Sequence, residues 1–114
     1  MKPASVDLAC RALQDPTRRQ ILEALRDEEL PAGQLARRFP LTRPAISKHL
    51  RVLREAQLVR ERRDGRQRIY RLDPEPLRAL DDWLGPYRLM WAVRLHDLKD
   101  LVEREARSKG ATDE

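Results

Sequence analysis

The run Thr42-Arg43-Pro44-Ala45-Ile46-Ser47-Lys48-His49-Leu50-Arg51 alternates apolar side chains with hydrogen-bond donors. On a helical wheel of about 100° per residue, Ile46, Leu50 and Leu53 fall within about 60°, and Arg43, Ser47, Lys48 and Arg51 spread over about 140° of the other side. That second face has the chemistry needed in a DNA major groove. Arg and Lys donate to guanine O6 and N7, and a Ser hydroxyl serves a base edge or a phosphate. Side chains near a helix start reach bases, which favours Arg43, Ser47 and Lys48, with Arg51 better placed for phosphate. His49 falls on the apolar arc, so a half-buried structural histidine and a DNA contact both fit it.

A second cluster, Arg62, Arg63, Arg66 and Arg68, brackets Asp64-Gly65. At the tip of a two-stranded ribbon these arginines have no core to fill, and a phosphate backbone or minor groove is the surface they suit. The candidate DNA contacts are therefore Thr42, Arg43, Pro44, Ser47, Lys48, His49 and Arg51 from the helix, and Arg62, Arg63, Arg66 and Arg68 from the hairpin. Charge supports the same segment. Between Arg37 and Arg71 stand twelve Lys/Arg against three acids (Glu55, Glu61 and Asp64), whereas the whole 114-residue chain carries only +5. One segment thus holds all the excess, the footprint of a surface that displaces counterions from phosphates.

These residues need elements to hold them. Ser5 caps a first helix with Val6, Ala9, Cys10 and Leu13 on one stripe. Asp15-Pro16 starts a second, with Ile21, Leu22 and Leu25 inward. A third, short helix begins at Pro31 or Ala32 and carries Ala32, Leu35, Ala36 and Phe39. Pro40-Leu41 breaks it, and Thr42 caps a fourth helix to about Ala56, with Pro44 tolerated in the first turn. Two short helices joined by a tight turn form a helix-turn-helix. Leu58 to Arg63 and Arg66 to Leu72 then read as strands around a two-residue Asp64-Gly65 turn, which pairs Arg63 with Arg66, Glu61 with Arg68 and Val59 with Tyr70. Beyond the Asp73-Pro74-Glu75-Pro76 junction, Leu77, Leu80, Leu84, Tyr87, Trp91, Leu95, Leu98 and Val102 recur at steps of three and four. Pro86 is expected to divide this region into two helices.

The expected fold is mainly α with a β-hairpin wing (α+β), a winged helix-turn-helix. It is expected as one domain over residues 1–107, with the helix-turn-helix at 31–56, the wing at 57–72 and C-terminal dimerisation helices at 76–104. Residues 108–114 read as a disordered tail.

The runs Asp-Pro-Thr-Arg-Arg-Gln-Ile-Leu (15–22), Arg-Pro-Ala-Ile-Ser-Lys-His-Leu (43–50) and Leu-Arg-Glu-Ala-Gln-Leu-Val (53–59) resemble ArsR-type transcriptional regulators. The arginine-rich hairpin ending in Tyr-Arg-Leu (70–72) matches too. The resemblance spans roughly residues 5 to 103 and implies a bacterial or archaeal homodimer that represses transcription from a palindromic operator, joined through its first and last helices. Val6, Leu13, Trp83, Tyr87, Trp91, Leu95 and Leu98 are the interface candidates, and so many aromatics on one apolar stripe exceed what a small core needs. A two-fold dimer presents its two recognition helices about one DNA turn apart.

The chain departs from the metal-sensing members of that family. Pro31 and Gly33 stand where a cysteine pair would fall, and the C-terminal region offers only His96 beside Asp97 and Asp100, too few ligands to converge on a metal. No metal, cofactor or effector is expected, and Cys10 is expected to be a buried, inert thiol. Two histidines, one cysteine and no Gly-rich phosphate loop leave no nucleophile–base pair, so no enzyme is expected. No stretch reaches the roughly 18 apolar residues of a membrane span. With a single cysteine and no apolar leader after Met1, the cytoplasm is the expected compartment. A winged-helix protein-interaction module that reads no DNA is the alternative, and the concentrated positive charge argues against it.

Overall fold

A computed structural model describes residues 5–112, with side chains through Ser108. Its elements run α1 (Val6–Leu13), α2 (Pro16–Ala24), β1 (Leu30–Pro31), α3 (Ala32–Arg37), α4 (Arg43–Glu55), β2 (Val59–Asp64), β3 (Gln67–Leu72) and α5 (Glu75–Thr112). The expected combination of helices and a hairpin wing is present, with a three-stranded antiparallel sheet in the order β1-β3-β2. The chain divides between Asp81 and Asp82 into two compact units, where length alone suggests one domain.

Local chemistry sets the helix starts of the first unit. The Ser5 hydroxyl accepts from the Leu8 N–H (3.3 Å), the Asp15 carboxylate from the Arg18 N–H (3.0 Å) and the Thr42 hydroxyl from the Ala45 N–H (3.3 Å). Each satisfies one of the four N–H groups that a helix start leaves without a partner. The end of α1 is closed from outside. Arg18 Nε donates to the Ala12 carbonyl (2.6 Å) and its Nη2 to that of Arg11 (3.1 Å), while Arg19 Nη1 reaches the Leu13 carbonyl. Two cations thus meet the negative end of the helix dipole.

The end of α4 aims the wing. Gln57 has a φ of +62°, its N–H bonds the Arg54 carbonyl (2.9 Å), and the Leu58 N–H bonds that of Leu53 (2.9 Å). This double closure is a Schellman motif, completed by packing between Leu53 and Leu58, both wholly buried. It reverses the chain directly into β2. Ile21, Leu35, Ile46, Leu50 and Tyr70 join these two leucines in one apolar core, so α2, α3, α4 and the sheet share a single anchor. Burying each such side chain contributes about 1.5–3 kcal/mol.

The hairpin register differs from the expected one. Asp64 pairs with Gln67, Arg63 with Arg68, Glu61 with Tyr70 and Val59 with Leu72. The turn residues are Gly65 and Arg66, not Asp64 and Gly65. Gly65 alone takes the positive φ (+62°), which fits a turn with glycine at its first central position. A turn centred on Asp64-Gly65 would place aspartate in the left-handed region as well, at a cost of about 1–2 kcal/mol. Because the shift is two residues, each side chain keeps its face.

The two-residue strand β1 was not expected. Leu30 and Pro31 pair with Tyr70 and Ile69 and bring the acidic run 27–29 up to the root of the wing.

In the C-terminal region, the expected division at Gly85-Pro86 is not found, and α5 continues through Pro86. Proline removes one intrahelical donor, and Gly85, having no Cβ, lacks part of the clash that pushes a pre-proline residue out of the helix. Asp82 and Pro86 both lie on the exposed surface of the helix. The helix also reaches Thr112 where a disordered tail was expected from 108; residues 113 and 114 of that expectation lie outside the described residues. In the second unit Trp83, Tyr87, Trp91, Leu95 and Leu98 are between 43% and 66% exposed. The rings of Trp83 and Tyr87 stand 5.1 Å apart.

Candidate nucleic-acid interface

The wheel reading of α4 holds. Ile46, Leu50 and Leu53 are buried, and Thr42, Arg43, Pro44, Ser47, Lys48 and Arg51 are exposed. Among the described residues, no ion pair engages Arg43, Lys48 or Arg51, so their donors face solvent uncommitted. Thr42 spends one hydroxyl lone pair on its cap and keeps its proton to donate.

His49 stands apart from this row. It is half-buried, and its Nδ1 lies 3.9 Å from Asp15 Oδ2, the cap of α2. The Arg18 N–H holds the Asp15 carboxyl below its usual range; burial opposes this, and the charges of His49 and Arg18 assist. Of the two readings open for His49, this placement matches the structural one.

All four wing arginines are exposed, but they differ in their partners. Arg63 and Arg66 have no acidic partner among the described residues. Arg62 is bound to Glu29 across 33 positions of sequence, a pairing that also raises the guanidinium's pKa. The Nε of Arg68 lies 3.7 Å from Glu61 Oε1.

Sequence reasoning missed the role of Glu61. Its carboxylate, 18% exposed, accepts from Arg54 Nη1 at the end of α4 (2.7 Å) and from the Tyr70 hydroxyl (3.0 Å). It therefore ties the recognition helix to both strands of the wing. Burial raises the pKa of the Tyr70 hydroxyl, and its hydrogen bond to Glu61 raises it further. The only signal in the sequence was the expected Glu61–Arg68 pair, which survives as a diagonal contact. A second lock joins Arg60 Nε to Asp73 Oδ2 (2.7 Å). Burial acts to raise the Asp73 carboxyl, but the Glu75 N–H and Arg60 outweigh it and hold the group below its usual value.

Between α3, α4 and β3 lies a hollow of about 170 Å³ bordered by Arg43, Ser47, Arg68 and Tyr70. The start of the recognition helix and the wing thus face one space.

Comparison with known proteins bears on this arrangement. Residues 15–61 match the model of the family described as bacterial regulatory protein, arsR family. The HTH-type transcriptional regulator Rv2034 of Mycobacterium tuberculosis (strain ATCC 25618 / H37Rv) is 44% identical over 101 residues, covering 89% of this chain and 92% of that protein. The chain belongs to the arsR family of bacterial regulatory proteins. The transcriptional repressor SdpR of Bacillus subtilis (strain 168) is 35% identical over 74 residues, covering 65% of this chain and 82% of its own. A solved ArsR-like transcriptional regulator from Rhodococcus sp. RHA1 superposes with a TM-score of 0.66 at 33% identity, covering 84% of this chain and 91% of that one.

As an arsR-family member the protein is a DNA-binding transcriptional regulator, and its winged helix-turn-helix is the family's fold. Among the described residues, no group of three or more His, Cys, Asp and Glu side chains is disposed to hold a metal ion. His96, exposed on α5, lies 3.5 Å from Asp100 as a surface pair one turn apart. Cys10 corrects the expectation of a buried thiol, for it lies on the exposed side of α1. Ala9 and Ala12 fill the buried positions of that short helix instead. No helix among the described residues is long and apolar enough to cross a membrane.

Proposed function

We propose that this regulator is a homodimeric repressor that binds a palindromic operator in the cytoplasm. In this reading Arg43, Ser47 and Lys48 address base edges in the major groove. Thr42, Pro44 and Arg51 flank them along the backbone, and Arg63 and Arg66 carry the wing onto neighbouring phosphates or the minor groove. Arg62 and Arg68 belong to the same surface, but each shares its charge with an acid. His49 contributes by fixing α4 against α2. The observation that carries the reading is the exposed row on α4, whose cations have no acidic partner among the described residues and stand beside a wing tip in the same condition.

Dimerisation is supported by the apolar surface of α5, where Trp83, Tyr87, Trp91, Leu95 and Leu98 are all exposed. Aromatic residues at such density are characteristic of interface cores. Val6 and Leu13, half-buried on α1, complete the proposed contact set. The protein's chemistry in this account is binding and release, with no catalytic step.

Selection of bound duplexes from a random pool tests the proposal directly. An inverted repeat with half-sites about one helical turn apart is expected. A single asymmetric site would overturn the dimer, and recovery of unselected sequence would overturn specific readout.

A further inference from the structure

A second hollow, of about 330 Å³, opens between α3 and the wing. Its wall carries Gly33, Gln34, Arg37, Arg66, Gln67 and Arg68, and no acidic residue lines it. Three guanidinium groups and two amides around one space make it rich in donors and poor in counter-charge, which complements an anion with several acceptor oxygens. The Nε of Arg37 donates to the Gly33 carbonyl (3.2 Å), which holds the guanidinium in place and leaves its terminal nitrogens available. Arg37 and Arg66 have no acidic partner among the described residues, and Arg68 meets Glu61 only at 3.7 Å. At about 30 Å³ per water the hollow has room for a phosphodiester and its sugar. It shares Ala32, Gly33 and Arg68 with the hollow bordered by Arg43 and Ser47, so the two hollows are neighbours.

We infer that this hollow is a backbone-phosphate site for one DNA strand, separate from the recognition helix, and that Arg37 is the contact it adds. The inference rests on the DNA-binding reading above. A strand held at Arg43 passes over Gly33 to Arg37 and leaves between Arg66 and Arg68. Arg38, the next residue, is engaged by Glu28 (3.0 Å) and takes no part.

The test is binding of the wild type and of the Arg37→Ala, Arg37→Gln, Arg37→Lys and Arg38→Ala proteins to the selected operator and to random duplex of equal length, over a salt series. Arg37→Ala and Arg37→Gln are expected to weaken both duplexes alike, roughly five- to tenfold near 0.1 M salt, and to lower the salt slope by about one. Arg37→Lys should keep the slope, because a phosphate accepts a point charge, and Arg38→Ala should stay within about twofold of wild type by the same counting of phosphate contacts. The glutamine and lysine variants keep the comparison valid if alanine perturbs folding. An unchanged slope in Arg37→Gln, a loss confined to the operator, or an equal loss in Arg38→Ala would each overturn the site. If the wild type binds neither duplex, the functional reading fails first; if it binds and Arg37→Gln binds equally, only this site fails.

Discussion

The cations of α4 and the wing that have no acidic partner among the described residues can be compared with those of the same two elements that stand against a carboxylate, where the residue types are similar and the surroundings differ. Arg43, Lys48, Arg51, Arg63 and Arg66 have no acidic partner among the described residues. Arg54, Arg60, Arg62 and Arg68 stand against Glu61, Asp73, Glu29 and Glu61 respectively. Density of positive charge along the chain counts both sets equally, but in the second set a carboxylate already meets part of each guanidinium's charge, so a phosphate gains less from it. The unpaired set keeps all its charge for DNA, while in the paired set Arg54 ties α4 to β2 through Glu61, Arg62 ties β2 to Glu29 and Arg60 ties β2 to Asp73.

The largest effect expected from this division is on readout. Arg43→Ala should cost about 1–3 kcal/mol of discrimination at particular bases while leaving thermal stability near wild type. Competition between operator and point-mutated operators measures it. Equal losses on every sequence would move Arg43 to a backbone role.

Arg60→Ala should act the other way round. It strands the Asp73 carboxylate, only 9% exposed, and is expected to lower unfolding stability by about 1–2 kcal/mol with little change in operator discrimination. Chemical denaturation measures the first quantity and competition binding the second. A variant of full stability with lost discrimination would erase the distinction between the two sets.

These contrasts also show what was legible in the sequence. Caps at Ser5, Asp15 and Thr42 act within three residues, so residue type and position sufficed to place the starts of α1, α2 and α4. The two faces of α4 followed from periodicity for the same reason. The pairings of Glu29 with Arg62 and of Arg60 with Asp73 depend on the sheet, and nothing local announces them. The register was misjudged because Asp-Gly suits a turn with two left-handed residues, while this hairpin uses only Gly65 in that way. Gln57 carried no signal at all, since a left-handed helix end is normally marked by glycine. Arg37 lies within the basic segment, but the apolar spacing that marks α3 carries no information about what its outer face meets.

The wing itself offers a finer version of the comparison. Arg66→Ala should reduce the salt slope for random duplex by about one counterion, and Arg62→Ala by clearly less, because Glu29 already neutralises that guanidinium. Titration at several salt concentrations separates them, and equal slopes for the two variants would show that the Glu29 pairing opens freely on DNA.

The smallest effect expected near neutral pH is the most selective, since it touches only the paired set. The Asp73 carboxyl is held below its ordinary value of 3.8, so its contribution to stability is complete above that pH and is lost as pH falls through the lower folded value. Tyr70 titrates above its ordinary value of 10.0, so its contribution is complete below that pH and is lost as pH rises through the higher folded value. Between these limits neither group changes charge, and melting temperature should be insensitive to both. Asp73→Asn should therefore flatten the acid limb below about pH 4, and Tyr70→Phe the alkaline limb above about pH 10. Loss of DNA binding on the acid limb is therefore expected to follow the melting of the wing's root. Melting curves and binding isotherms measured at the same pH values decide the point. If Asp73→Asn melts with the wild-type acid slope, the lock between Arg60 and Asp73 is not what acid removes.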